Sequence, residues 1–283
     1  MADIETIHTV AELRARVRLW RAAGERIALV PTMGALHAGH VALMQAAHQH
    51  AERIVVSIFV NPTQFAPTED LARYPRTLDA DREKAALAGV DVVFAPDVDE
   101  MYPQGFATTV SLVGPACGLE TDFRPTHFAG VATVVAKLFS QVAPDVALFG
   151  EKDYQQLAVV TRMARDLDLP VQVIGVPTVR EPDGLALSSR NVYLSPEERG
   201  IAPVLHRALA GAAQAIRSGA PIAQAIEAAR DGVRSAGFAL DYLDARHAET
   251  LAPVAARDEG PLRLLVAARL GTTRLIDNIA VPD

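Results

Sequence analysis

A single cysteine, Cys117, stands among 283 residues, so the chain can form neither an internal disulfide nor a cysteine-rich metal site. That suits a reducing compartment and excludes a stapled secreted scaffold. The lone thiol reads as a small apolar residue of the interior. No apolar run approaches the roughly 18 residues of a membrane-spanning helix, and the start, MADIETIHTVAEL, lacks the basic head and continuous apolar stretch of a signal peptide. A cytoplasmic protein with no membrane contact is expected. Positive charge is also short, with 27 Lys plus Arg against 34 Asp plus Glu and a formal net charge of -7. Such a chain repels polyanions as a whole, so the expected partner is a small ligand and not nucleic acid. Lysine is the scarcest basic residue: only Lys84, Lys137 and Lys152 occur, and the other 24 are arginine.

What is present is ordinary for a soluble globular protein, with 50% hydrophobic and 22% charged residues. At about 100 to 200 residues per domain, the length fits two domains of unequal size. Thr9 to Glu12 has the form of a capping box, opening a helix that runs to about residue 23. Apolar strands are predicted at 27–30, 54–60, 90–95, 146–149 and 171–176, with helices at 41–51, 77–87, 131–142 and 154–166 between them. Thr77 is read as a helix cap, and Asp79 and Asp81, a DxD that resembles a Mg2+ site, as first-turn acids favoured by the helix dipole. Continuous apolar strands alternating with helices imply a parallel sheet covered on both faces, and such sheets bind ligands in loops beyond the carboxyl ends of their strands.

After about residue 177 the pattern changes. A helical region over 196–218, a helix over 221–235 and strands at 242–246, 262–268 and 273–279 predict a smaller α+β unit. The expected fold class is therefore α/β, a Rossmann-like parallel-sheet domain over 1–177 with a smaller C-terminal α+β domain over 178–283. Neither part is a basic module, since 15 basic and 21 acidic residues precede position 178 and 12 and 13 follow.

Four loops could carry chemistry. The first joins a strand to a helix and contains Met33, Gly34, Ala35, Leu36, His37, Ala38, Gly39 and His40. His37 and His40 are three apart, so at a helix start they can share one face beside backbone N–H groups that attract phosphate. The two glycines let the backbone approach a ligand closely. Metal binding is the alternative for a histidine pair, but no third ligand of suitable spacing is near. The loop is neither a GxGxxG dinucleotide turn nor a GxxxxGK[ST] P-loop. The second is Phe59-Val-Asn-Pro-Thr-Gln-Phe65, the third Phe149-Gly-Glu-Lys-Asp-Tyr-Gln-Gln-Leu157, and the fourth Leu187-Ser-Ser-Arg-Asn191.

These four motifs, in this order and with Leu275-Ile-Asp-Asn278 near the end, resemble the pantothenate synthetase (pantoate–β-alanine ligase) family, part of the HxGH nucleotidyl-transfer superfamily. The resemblance runs essentially end to end. It implies an ATP-dependent ligase of the coenzyme A precursor route that condenses (R)-pantoate with β-alanine in the presence of Mg2+. The reaction passes through a pantoyl adenylate and releases AMP and pyrophosphate. It implies further that the 33–40 segment holds ATP, with His37, His40 and Lys152 the catalytic groups and His40 the position usually assigned as the acid. Gly150, Glu151, Lys152 and Asp153 would form the second nucleotide segment, and Val179 would meet adenine through its backbone. Leu187, Ser188, Ser189 and Arg190 would close over the departing pyrophosphate. Gln64 and Gln156 would bind pantoate, with Gln64 also near β-alanine. The family implies a homodimer as well.

The residues themselves agree with that chemistry. Activating a carboxylate builds charge on phosphoryl oxygens, which imidazoles, a lysine and helix-start amides stabilise without a covalent enzyme intermediate. An amide both donates and accepts, so glutamine can read a hydroxy acid without adding charge beside its carboxylate. Mg2+ keeps most of its waters and bridges phosphates, so no protein ligand is assigned to it. Asn61 could help the glutamines bind pantoate or simply open a turn, His127 could pack or face the cleft, and Trp20 reads as a packing residue. Two other readings remain on the sequence alone, another HxGH nucleotidyltransferase and a non-catalytic nucleotide-binding protein.

Overall fold

The computed structural model describes residues 4–67 and 69–282. In chain order the elements are β1 (Glu5–Ile7), α1 (Val10–Ala22), β2 (Ile27–Thr32), α2 (Ala38–Ala47), β3 (Arg53–Ile58), α3 (Leu78–Leu87) and β4 (Val92–Phe94). Two short helices follow, α4 (Val98–Met101) and α5 (Glu120–Phe123), then α6 (His127–Val142), β5 (Val146–Gly150), α7 (Tyr154–Asp166) and β6 (Gln172–Val176). The remainder is α8 (Pro196–Ile201), α9 (Val204–Arg217), α10 (Ile222–Ser235), β7 (Ala239–His247), β8 (Leu262–Leu270) and β9 (Thr273–Val281).

The first six strands form one all-parallel sheet in the order β1-β4-β3-β2-β5-β6. Strand order turns at the β2/β5 pair: from β2 the chain winds one way through β3 and β4, and from β5 the other way to β6. The loops leaving β2 and β5 at their carboxyl ends diverge there and open the crevice in which doubly wound sheets bind ligands. Both sheet faces are dry. Leu29, Val55 and Ala147 pack against α1, α6 and α7, whereas Val30, Val56 and Leu148 pack against α2 and α3. The second sheet, β7-β8-β9, is antiparallel and lays one face on α9 and α10 in a cluster of its own.

The expected α/β class and the second α+β unit are both present. The capping box at Thr9 forms, and Trp20 is buried in the core. Several local expectations are corrected. Cys117 is exposed: it follows the 3-10 turn Gly114–Ala116, and Pro115 and Ala116 take the buried positions there. Thr77 does not cap α3 with its side chain; its hydroxyl donates to Asp81 instead, at 3.1 Å. Asp79 and Asp81 do stand in the first turn of α3, but Asp81 is fully buried. The region 196–218 is two helices, broken where Pro203 cannot donate to a continuing helix. The start of α6 is at His127, a turn earlier than apolar periodicity predicts, since Gly130 interrupts the pattern there. Strand β1 was not foreseen, its three residues being too few and too polar to stand out.

Candidate active site

The loop after β2 enters α2 through an unusual cap. His37 is the N-cap residue, and its Nδ1 accepts the Gly39 N–H at 3.1 Å, while His40 Nδ1 accepts the His37 N–H at 3.2 Å. Both Nδ1 atoms act as acceptors, which assigns the ring proton of each neutral imidazole to Nε2 and leaves that N–H free as a donor. The two rings lie 4.1 Å apart. Gly39 is required by this packing, since a Cβ there would come within 2.9 Å of the His37 ring. Burial lowers His37 to about 4, helped by the charge of Lys152. Burial beside His37 lowers His40 to about 3. Both imidazoles are therefore neutral near pH 7, neutral donors at a helix N-terminus.

From the other side of the sheet's turning point, the 3-10 turn Glu151–Asp153 brings Lys152 to the same cleft, its Nζ 3.6 Å from the Asp153 carboxylate. The backbone of this turn is gripped from the second sheet. Asn278 Nδ2 donates to the carbonyl oxygens of Glu151 and Lys152 at 2.9 and 2.8 Å. Arg263 donates to Asn278 Oδ1 at 2.7 Å and to the Glu151 carboxylate at 3.0 Å, and its guanidinium lies 4.0 Å over the Tyr154 ring.

Gln64 ends the 3-10 turn Pro62–Gln64, opened by Asn61 as its cap. The turn sits directly on α6, and only glycine fits beneath it: a Cβ on Gly130 would lie 2.5 Å from the Thr63 carbonyl oxygen. Gln64 donates to Met33 Sδ at 3.1 Å and accepts from Asn61 at 3.1 Å, and its own carbonyl faces His127 Nδ1 at 3.0 Å. Asn61 and Tyr102 complete this support, the phenol donating to Asn61 Oδ1 at 2.8 Å. The two adjacent glutamines of α7 have different tasks. Gln155 is buried and bonds the backbone at Pro115, Gly118 and Glu120, whereas Gln156 faces the cleft.

The resulting cavity, about 200 Å³, is lined by Met33, His37, Gly39, His40, Gln64, Gly150, Lys152, Asp153, Gln156, Val179 and the 187–190 loop. Its apolar wall is Phe59, Phe149 and the α6 residues Val131, Val134, Val135 and Leu138. A second cavity of about 400 Å³ adjoins it, sharing Lys152, Asp153, Gln156, Ser188 and Arg190 and extending between the two sheets. Five predicted residues do not line the first cavity: Gly34, Ala35 and Leu36 turn toward α3, Ala38 is exposed, and the Glu151 carboxylate pairs with Arg263. Tyr74, Gly130 and Asn278 were not predicted as site residues, and Asn61 only as a helper or a turn opener. Their signal was weak, an Asn-Pro turn, a lone tyrosine, a helical glycine and one residue of a distant motif.

Arg190 reaches across from the loop after β6 and is held by Asp70, while Ser189 Oγ lies 3.3 Å from the Tyr74 hydroxyl. Among the described residues, no group of three or more His, Cys, Asp or Glu could hold a metal ion, and no helix is long and apolar enough to cross a membrane.

The cleft at the turning point of the parallel sheet thus gathers polar and apolar side chains from segments far apart in sequence, and the chain is similar to proteins of known structure and activity. A pantothenate synthetase of Rhodopseudomonas palustris is 61% identical over 96% of this chain and 97% of its own length. Pantothenate synthetase 2 of Bradyrhizobium diazoefficiens is 62% identical over the same shares. The crystal structure of pantothenate synthetase from Thermus thermophilus superposes with a TM-score of 0.93 at 53% identity, covering 99% of this chain and all of the other. Pantoate-β-alanine ligase from Francisella tularensis, complexed with β-γ ATP and β-alanine, superposes with a TM-score of 0.80 at 31% identity over 98% of this chain and 97% of that one. The profile of the pantoate-β-alanine ligase family matches residues 5–280. The chain belongs to the pantoate-β-alanine ligase family.

Proposed function

We propose that this chain condenses (R)-pantoate with β-alanine at the expense of ATP, making pantothenate, a precursor of coenzyme A. The observation that carries the reading is the meeting of five segments far apart in sequence, 33–40, Gln64, 150–156, Val179 and 187–190, around one cleft.

In the first step a pantoate carboxylate oxygen attacks the α-phosphorus of ATP, the bond to the bridging oxygen of the β-phosphate breaks, and pyrophosphate leaves. The chain's part is to hold the two reactants together and to meet the charge that develops on phosphoryl oxygens. The Nε2–H groups of His37 and His40 and the Lys152 ammonium, beside the positive N-terminal end of α2, are the donors for those oxygens. Neutral imidazoles fit this task, because pyrophosphate departs without a strong acid. Gln64 and Gln156 read the hydroxyl and carboxylate of pantoate, and the wall of Val131, Val134, Val135 and Leu138 takes its two methyl groups. In the second step the β-alanine amine attacks the acyl carbon, the bond to AMP breaks, and the amine gives up a proton.

Mg2+ would arrive with the nucleotide, neutralising phosphate charge while the phosphates and water supply most of its ligands. The domain division near Pro177, residence in the cytoplasm and a homodimeric state belong to the same proposal, and family membership supports them. The test is an assay with ATP, Mg2+, pantoate and β-alanine that follows AMP and pantothenate. Pantothenate formed with one AMP each is expected; AMP released without pantoate, or no pantothenate at all, overturns the reading.

A further inference from the structure

The loop after β2 cannot hold its own shape. Gly34 and Ala35 lie one after the other in the left-handed region, at φ +81 and +51, and alanine is disfavoured there. The strained turn is held from α3. Asp81 accepts the Ala35 N–H at 2.9 Å on Oδ2 and the Leu36 N–H at 2.7 Å on Oδ1. Thr77 Oγ1 donates to the same Oδ2 at 3.1 Å, and Lys84 Nζ, one helical turn on, donates to the Leu36 carbonyl oxygen at 2.6 Å. Thus one face of α3 takes both the N–H groups and the carbonyl that the turn presents. The residue after this anchored stretch is His37, whose side chain caps α2.

We infer that Asp81, assisted by Lys84, is a positioning residue for adenylation, holding turn 34–36 so that His37, His40 and the start of α2 face the nucleotide phosphates. The inference rests on the proposed role of the 33–40 segment and adds a residue that lines neither cavity. Carboxylate chemistry is needed for the anchor. Asp81 must accept at both oxygens, and an amide of the same size would set its NH2 against one of the two N–H groups. Reactive geometry is sensitive to such changes, a misplacement of ~1 Å costing up to about 100-fold in rate.

The experiment compares Asp81→Asn and Lys84→Met with the wild type, measuring kcat and the KM for each substrate from AMP and pantothenate formation. D81N is expected to lower kcat at least tenfold and raise the ATP KM, while the pantoate KM stays within twofold. K84M, at an exposed side chain, is expected to raise the ATP KM several-fold with pantoate again unaffected. A merely structural role would weaken both substrates alike. Folded D81N with wild-type kcat and ATP KM, or with equal losses for ATP and pantoate, overturns the inference. If D81N does not fold by near-ultraviolet circular dichroism, K84M decides: a selective rise in ATP KM supports the anchor, and an unchanged value overturns it. If wild-type protein makes no pantothenate, the functional reading has failed separately. ATP calorimetry on the same variants then tests the anchor, selective weakening supporting it and wild-type affinity overturning it.

Discussion

Arg190 and Asp70 form a two-pronged ion pair across the cleft, with Nε to Oδ2 and Nη2 to Oδ1 both 3.0 Å. The cation proposed to meet pyrophosphate is thereby neutralised by a residue of the segment following Gln64. Tyr74 lies beneath the guanidinium, 5.8 Å from its ring centre, and Tyr193 donates to the Arg73 carbonyl at 3.1 Å. An incoming phosphate therefore competes with Asp70 for the guanidinium. Asp70→Asn keeps the shape but removes the competing charge, so the ATP KM should fall by a factor of about 5, matching the ~1 kcal/mol of a partly exposed ion pair. A higher KM in D70N would mean that the pair orders the loop and does not compete with substrate.

The reciprocal cap of His37 and His40 makes a distinction between acid and donor testable. If a neutral Nε2–H is what the phosphate uses, His40→Ala should slow adenylate formation by roughly 100- to 1000-fold, the loss usual for one transition-state donor. His40→Gln retains an N–H donor and should recover part of that loss. Equal rates for the Gln and Ala variants in single-turnover measurements would restore the role of an acid to His40.

The same burial links the site to stability. His37 and His127 are lowered to about 4 and His40 to about 3, so the folded state holds all three neutral where an unfolded chain protonates them near 6.5. As pH falls through about 6.5 the unfolded state takes up protons that the folded state does not, and stability falls by at most about 1.4 kcal/mol per unit per histidine; about one unit above 6.5 the slope has nearly vanished. Glu120 extends the trend. Burial alone would raise it, but the Arg274 guanidinium and the Tyr242 hydroxyl hold it at about 2, so its stabilisation is lost between about 4.5 and 2. Urea midpoints should be level between pH 7 and 8 and drop steadily from 6.5 to 4. A midpoint unchanged down to pH 4.5 would mean that the imidazoles titrate normally.

The parts of this molecule legible in the sequence are those whose physics is local. Apolar runs placed five of the six strands of the parallel sheet, and a histidine pair between glycines marked the loop after β2. What stayed hidden depends on contacts distant in sequence. Nothing in Leu78-Asp-Ala-Asp81 says that the second aspartate is buried under a loop 45 residues earlier. The two glutamines of α7 look alike until α5 and the neighbouring loop claim Gln155 and leave Gln156 to the cleft. Gly130 reads as a helix weakness until the Pro62–Gln64 turn is seen resting on it. Likewise, the family resemblance set His37, His40, Lys152 and Arg190 alike around the phosphates. In the structure burial keeps the imidazoles neutral and Asp70 grips Arg190 through two hydrogen bonds, so the positive charge beside the helix start falls to Lys152, which has only the looser 3.6 Å pairing with Asp153.

That dependence on Lys152 makes its backbone support consequential. Asn278 is buried, and its amide meets three partners at once, donating to the Glu151 and Lys152 carbonyls and accepting from Arg263. Asn278→Ala leaves two carbonyls and a guanidinium N–H without this partner, a loss of ~1 to 3 kcal/mol in stability. Asn278→Asp is nearly isosteric, yet it turns a carboxylate toward two carbonyl oxygens, so it should be no better tolerated than alanine. In both variants the turn carrying Lys152 loosens, and kcat for adenylation should fall with a rise in ATP KM while Gln64, on the opposite wall, keeps its hold on pantoate. Wild-type kinetics in folded N278D would show that Lys152 is placed by its own loop and owes nothing to β9.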